Sequence, residues 1–135
     1  MPKRSRNAVA KLPGVEKPIS SAMLLDPSER RLHLQKRLRF LVLLALKEGP
    51  KHGYDIATHL EAKSAGFFTM SFGTLYPLLH RLEQQGLIKG EWEDGEGKRK
   101  KVYALTSAGQ KALVEERARY EEQTAAFARL LGGKA

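Results

Sequence analysis

Cysteine is absent from this chain of 135 residues, which excludes disulfide bonds, thiol catalysis and thiolate metal sites. Acidic side chains are in the minority, since 15 Asp and Glu stand against 24 Lys and Arg and leave a formal charge of +9. Long apolar runs are also lacking: the apolar stretch at residues 40–46 is bounded by Arg39 and Lys47, whereas a membrane-spanning helix needs about 20 residues. No apolar stretch of the kind found in a secretory signal follows the basic N-terminus, so we expect a cytoplasmic protein.

The four histidines do not form a constellation that suits catalysis or metal binding. They are dispersed along the chain, and none makes the i, i+4 pair that a helical metal site favours. The sequence therefore predicts no enzyme, no metal and no cofactor. Its excess of positive charge instead suits an anionic partner, either nucleic acid or a membrane surface. Because no segment could span a bilayer, we expect no membrane partner.

Residues 71–85 have the pattern of a short helix with two different faces. Ser71 is a suitable N-cap, and Gly86 suits the left-handed residue that ends many helices. Pro77 lacks an N–H donor, so we expect an irregular first turn. The polar face of the helix is either an ordinary solvated surface or a surface that reads DNA. Four leucines follow the 3.6-residue period and predict a buried stripe: Leu75, Leu78, Leu79 and Leu82.

The segments on either side of this helix favour the DNA-reading alternative. A second short helix at residues 54–63 precedes it, as in a helix-turn-helix. Downstream, residues 87–92 and 102–105 have strand composition and flank a Gly-rich turn, which predicts a hairpin. We therefore predict a mostly α fold with a two-stranded β wing, that is, a winged helix-turn-helix suited to double-stranded DNA. The hairpin tip carries four adjacent cations: Lys98, Arg99, Lys100 and Lys101.

Those four cations have two explanations. They form either a solvated basic turn or a wing that lies along phosphates and gains counterion release with each contact. The N-terminal segment is also basic, and its composition and lack of periodicity predict a flexible tail over residues 1–25. That tail is either an unselected terminus or an arm that follows the DNA.

A long helix is predicted at each end of the folded part. Asp26, Pro27 and Glu29 form a helix start signal, and the DNA-binding domain is placed at residues 26–106. Thr106 is a plausible cap for a C-terminal helix at residues 107–131, which is too long to be covered by a compact winged-helix body. We expect both helices to support a homodimer that binds an inverted repeat. The predicted interface residues of the C-terminal helix are Leu113, Tyr120, Thr124, Phe127 and Leu131.

Several separated motifs resemble the PadR family of bacterial transcription regulators. They occur in the family's order between about residues 38 and 120, and the short C-terminal part is similar to the smaller subfamily with a single dimerisation helix. The motifs are Gly49-Pro50-Lys51-His52-Gly53-Tyr54-Asp55-Ile56, Gly73-Thr74-Leu75-Tyr76-Pro77, Arg81-Leu82-Glu83, Gly86-Leu87-Ile88, Trp92-Glu93 and Tyr103-Ala104-Leu105-Thr106-Ser107-Ala108-Gly109.

The resemblance implies a dimeric winged-helix repressor, in some members released from DNA by a small aromatic or drug-like ligand. The helix with Ser71, Thr74, Tyr76 and Arg81 would enter the major groove, and Lys98, Arg99 and Lys100 would contact phosphates or the minor groove. An effector pocket would lie at the dimer centre, near Phe40, Tyr120 and Phe127, although a plain core explains the same residues. Because a winged helix can be reused for protein contacts, a protein-binding adaptor remains the alternative.

Overall fold

The structure, a computed structural model, describes residues 26–95, 97 and 99–133. The predicted tail at residues 1–25 and the predicted contact residue Lys98 lie outside the described residues. The chain divides into two compact units, one ending at Arg37 and the other beginning at Leu38. The elements are α1 (Pro27–Lys47), β1 (Lys51–His52), α2 (Gly53–Lys63), α3 (Phe72–Gln84), β2 (Ile88–Asp94), β3 (Arg99–Leu105) and α4 (Ser107–Leu130).

Helix α1 begins where the start signal predicts it. The Asp26 carboxylate accepts hydrogen bonds from the Glu29 backbone N–H at 2.9 Å and from the Ser28 hydroxyl at 2.7 Å. These bonds, first of all the one from the Glu29 backbone, lower the pKa of Asp26. Residues 27–37 are exposed, whereas most residues from Phe40 to Leu46 are buried. The apolar second half of the helix therefore lies in the core, as its composition predicts.

The core is formed by α1, α2 and α3 together with the sheet and the start of α4. Ile56 and Leu60 come from α2, and Ile88 and Tyr103 come from the sheet. The four leucines of the predicted stripe on α3 are between 0% and 3% exposed. Burial of an apolar side chain of this size stabilises a fold by about 1.5–3 kcal/mol. The predicted apolar period on α3 is thus confirmed. The opposite face of this helix takes no part in the core and is exposed to solvent.

The two-stranded wing that the sequence predicts is present as β2 and β3, and the short strand β1 extends it to a sheet of three strands. Its order is β1-β3-β2 and both pairings are antiparallel. Strand β1 is only two residues long, and Lys51 pairs with Tyr103. A dipeptide carries no alternation of apolar and polar residues, so its pairing with a distant strand leaves no local signal. The hairpin itself was predicted correctly and pairs from Ile88–Leu105 to Asp94–Arg99.

Helix α3 is capped at both ends by the predicted residues. The Ser71 hydroxyl accepts a hydrogen bond from the Thr74 backbone N–H at 3.3 Å. At the other end Gly86 has a φ of +76°, and the Leu87 N–H donates to the Leu82 carbonyl at 3.0 Å. The expected irregular first turn was wrong, because the helix runs without interruption through Pro77.

Helix α4 starts at the base of the hairpin and is capped by Thr106. The Thr106 hydroxyl accepts a hydrogen bond from the Gly109 N–H at 3.0 Å and donates to the Gly86 carbonyl at 2.6 Å. Further along, the Glu116 carboxylate is 5% exposed and lies 3.1 Å from the Arg39 guanidinium, which links α4 to α1. None of the described helices combines the length and apolar character needed to cross a bilayer.

Candidate nucleic-acid interface

The exposed face of α3 carries three of the four residues predicted to enter the major groove, and the fourth, Ser71, is the exposed N-cap of this helix. This face lies opposite the leucine stripe, and every residue on it is at least partly open to solvent. Arg81 forms no ion pair with any described residue, so its guanidinium is available to a ligand. The face consists of Phe72, Gly73, Thr74, Tyr76, Pro77, His80 and Arg81.

The hydroxyl groups at the start of α3 are partly committed to the helix itself. Besides accepting from the Thr74 N–H, the Ser71 hydroxyl donates to the Thr74 hydroxyl oxygen at 3.2 Å. The proton of the Thr74 hydroxyl is still available for donation. Ser71 therefore acts first as a cap, and Thr74 is the better hydrogen-bond donor of the two predicted contacts.

Tyr76 packs against the beginning of α2 and still exposes 47% of its surface. A Cβ placed on Gly53 would lie 2.8 Å from the Tyr76 ring, so only glycine allows this approach. The neighbouring His52 ring lies 3.4 Å from the carboxylates of Asp55 and Glu93. Tyr76 thus combines a packing role with an exposed edge.

The cations of the hairpin differ from one another in their surroundings. The Arg99 guanidinium lies 3.3 Å from the Asp94 carboxylate and 5.3 Å from the centre of the Trp92 ring. Lys100 is exposed and has no carboxylate partner within the described part of the chain. The two residues therefore present positive charge at the end of the hairpin, as predicted.

Lys101 differs from these two cations because its side chain is bound by α3. Its ammonium lies 2.8 Å from a Glu83 carboxylate oxygen, and the second oxygen accepts from the Gly90 N–H at 3.2 Å. The hydrogen bond that the Lys101 ammonium donates to Glu83 raises the pKa of Lys101. Gly90 is needed here, because a Cβ at this position would overlap the Lys101 side chain. Lys101 therefore joins the hairpin to α3.

A cleft of about 570 Å³ separates the hairpin from the two short helices. Its walls include Tyr76 and His80 of α3, His52 before α2, and Trp92 and Lys100 of the hairpin. The cleft therefore opens between the exposed face of α3 and the exposed cations. Sequence reasoning missed Trp92 as a member of this site, although its position opposite Lys101 follows once the register is known.

The residues predicted for an effector pocket come together only in part. The Phe40 and Tyr120 rings stack with their centres 4.4 Å apart and line a groove of about 450 Å³ between α1, α2 and α4. Thr124 also lines this groove, whereas Phe127 does not and is 62% exposed. No group of three or more His, Asp or Glu side chains among the described residues is arranged to hold a metal ion.

The residues predicted for a dimer interface also differ in exposure. Leu113 is 5% exposed and belongs to the core of its own chain, so it offers little surface to a partner. Tyr120 is partly buried against the same core. Phe127 and Leu131 are 62% and 86% exposed. Most of the exposed large apolar side chains in this region thus lie at the C-terminal end of α4, whereas Val114, which is 69% exposed, lies near its start.

The sequence profile of the "Transcriptional regulator PadR-like family" matches residues 42–115, from the buried half of α1 to the first turns of α4. The chain belongs to the PadR-like family. This membership confirms the resemblance noted in the sequence, and the winged-helix prediction agrees with solved structures of the family. PadR-family proteins are transcriptional regulators, a class without enzymatic function in general.

Three relatives illustrate the similarity. "Transcriptional regulator Rv3488" of Mycobacterium tuberculosis is 47% identical over 55 residues, which are 41% of this chain and 51% of that protein. A PadR family transcriptional regulator from Eggerthella lenta has a TM-score of 0.61 and 35% identity, covering 77% of this chain and 90% of the other. The chain spans about half the length of the first of these relatives.

The third relative is PadR of Bacillus subtilis, described as a negative transcriptional regulator. It is 30% identical over 77 residues, which are 56% of this chain and 42% of that protein. Its structure in complex with operator DNA has a TM-score of 0.54 and 29% identity, covering 58% of this chain and 44% of the other.

Proposed function

We propose that this chain is a dimeric, sequence-specific DNA-binding repressor of transcription. In this proposal α3 enters the major groove and the hairpin β2–β3 lies along the phosphate backbone. The single observation that carries it is the position of the exposed face of α3 across a cleft from the exposed cations Arg99 and Lys100. The operator complex of the B. subtilis relative supports the same partner, and the description of that relative as a negative regulator supports repression.

The contacts on α3 are proposed to read the bases. Thr74, Tyr76 and Arg81 present a hydroxyl, an aromatic edge and a guanidinium on one exposed face. An arginine in the major groove pairs with guanine through two parallel hydrogen bonds. Ser71 contributes by holding the first turn of the helix in place.

The contacts on the hairpin are proposed to position the protein without reading sequence. Lys100 and Arg99 reach phosphate oxygens, and Lys98 is a further positive charge next to them in the sequence. Each phosphate contact releases counterions, which makes the affinity depend on salt. Arg99 exchanges its exposed ion pair with Asp94 for a phosphate at little cost, because an exposed ion pair is worth at most about 1 kcal/mol.

Dimerisation is proposed to occur through the C-terminal part of α4. Tyr120, Thr124, Phe127 and Leu131 follow one another along this helix, and the last two expose large apolar surfaces. A second copy of the chain would remove these surfaces from water. The groove beside the stacked Phe40 and Tyr120 rings is the proposed site for a small hydrophobic effector.

Salt titration of DNA binding tests this function. Genomic fragments bound by the full chain are selected, and we expect them to converge on an inverted repeat. The affinity for that repeat should fall steeply as salt rises. The double variant Arg99→Gln/Lys100→Gln should flatten the slope of log affinity against log salt by up to about 0.9 for each lost phosphate contact.

Lys111→Gln is the matched control, because it removes one exposed positive charge on α4 rather than on the hairpin. It should leave the slope unchanged. A chain that selects no common sequence and binds DNA without salt dependence would contradict the proposal and favour a protein-binding adaptor.

A further inference from the structure

Phe72, the first residue of α3, is an aromatic side chain in an exposed position. Its exposed fraction is 44%, although a phenylalanine ring gains more than most side chains from burial. The ring lies between two tyrosines, with its centre 5.7 Å from that of Tyr54 and 5.8 Å from that of Tyr76. Both neighbours are themselves about half exposed. The three rings therefore form an aromatic cluster on the surface, with Phe72 at the start of the helix.

The Ser71 hydroxyl, the polar group that directly precedes Phe72, is occupied within the protein. The Ser71 hydroxyl is used as the cap of α3 and is bonded to Thr74. Gly73 has no side chain, and a Cβ there would come no closer than 3.9 Å to the Ser71 oxygen. The surface that the first turn of α3 offers to a ligand is consequently apolar at Phe72.

The flanking tyrosines also restrict the Phe72 ring before any ligand binds. Rotamer freedom that is already lost in the free protein does not have to be lost on binding. An exposed apolar group held in this way at the N-terminal end of a recognition helix suits an apolar feature of the major groove. The thymine 5-methyl group is that feature, and it is absent from the other three bases.

We infer that Phe72 is a specificity-determining residue that contacts a thymine 5-methyl group in each half-site. The inference rests on the proposed function, because it requires α3 in the major groove. It adds a base preference that hydrogen bonding by Thr74 or Arg81 does not supply. Removing one methyl group from an apolar contact changes a dissociation constant about fourfold.

Uracil substitution tests the inference with a single methyl group. An operator is selected from random duplexes by the full chain, and each thymine is then replaced by uracil, which keeps the base pairing and lacks the methyl group. We expect replacement at one position of each half-site to weaken binding about fourfold per site. The variant Phe72→Ala should bind the thymine and uracil duplexes equally, whereas Phe72→Leu, which keeps an apolar side chain, should retain the difference.

Phe67→Ala is the matched control, because Phe67 is 80% exposed and lies before α3. This variant should keep the thymine preference of the wild-type protein, and thermal unfolding of all variants checks that each is folded. Equal binding of both duplexes by the wild type, or an undiminished thymine preference in folded Phe72→Ala, would overturn the inference while operator binding and its salt dependence persist. Failure to select any operator would instead remove the proposed function.

Discussion

At the scale of single residues, Gly90 and Gly109 each lie too close to a neighbouring group to carry a side chain in the present geometry. Gly90 leaves room for the Lys101 side chain to cross the hairpin toward Glu83. Gly109, in the first turn of α4, lies against the backbone carbonyl of Leu87. The second contact is the stricter one, because a backbone carbonyl cannot rotate away as the end of a lysine can.

Substitution of Gly109 tests that close contact. Glycine inside a helix ordinarily costs about 1 kcal/mol relative to alanine, so a helix position without neighbours gains stability from Gly→Ala. Gly109→Ala should instead lower the free energy of unfolding by about 1–3 kcal/mol, as overpacking does. Gly73→Ala in α3 is the control, since a Cβ there would come no closer than 3.9 Å to another atom, and it should be neutral or stabilising. Urea unfolding of both variants measures the difference, and a more stable Gly109→Ala would show that the contact is absent.

At the scale of the elements, α3 and the hairpin are joined through the Glu83 carboxylate. It binds the Lys101 ammonium at 2.8 Å and the Gly90 N–H at 3.2 Å, and the Glu83 and Lys101 side chains are only 24% and 26% exposed. This link orients the hairpin cations relative to the exposed face of α3. Its partners are 18 residues apart in the sequence, so no local pattern predicts it.

The pH dependence of stability measures this link. Glu83 raises the pKa of Lys101 above its ordinary value of 10.5, so the link stabilises the fold below that pH and is lost as pH rises through the raised pKa. At neutral pH the free energy of unfolding of the wild type should exceed that of Glu83→Gln by about 1 kcal/mol. This difference should shrink above pH 10.5.

Wild type has to be compared with Glu83→Gln because the Tyr103 hydroxyl, whose ordinary pKa is 10.0, also titrates at alkaline pH. Burial is the main cause that raises the pKa of Tyr103, and this main contribution is common to wild type and variant. Denaturant midpoints at a series of alkaline pH values give the difference directly. A difference that persists unchanged at the highest pH would mean that the lysine charge is not involved.

Elements were predictable from the sequence wherever their signals are local. The caps at Asp26, Ser71 and Thr106 each bind a backbone N–H three residues further on, so a short window contains both partners. Strand β1 was missed because its pairing of Lys51 with Tyr103 joins distant segments. The residues on the exposed face of α3 were likewise predictable from its period, whereas their packing against Gly53 required the fold. The DNA contacts and the domain limits stay predictions.

At the scale of the whole molecule, the proposed dimer depends on the C-terminal end of α4. Phe127 and Leu131 are exposed at the end of a long helix, while Leu113 at the other end is covered by its own chain. A dimer formed through this end would hold two copies of α3 at a fixed spacing. Half-site spacing in an operator would then follow from the length and crossing of the two α4 helices.

Placing a charge at Phe127 tests the assembly. Phe127→Glu should convert a dimer into a monomer, because a buried charge without a partner is costly, and operator affinity should fall with it. Ala118→Glu introduces the same charge at another exposed position of α4 and should leave the mass unchanged. Sedimentation at micromolar concentration measures both. Wild-type protein with the mass of one chain would contradict the dimer.

The position of Trp92 has a practical consequence. It is the sole tryptophan of the chain and lies on the hairpin beside Arg99 and Lys101. When tryptophan is selectively excited in the unlabelled protein, all of the emission therefore comes from Trp92 on the hairpin. The emission spectrum is in effect a built-in optical probe of the hairpin, and it needs no introduced dye.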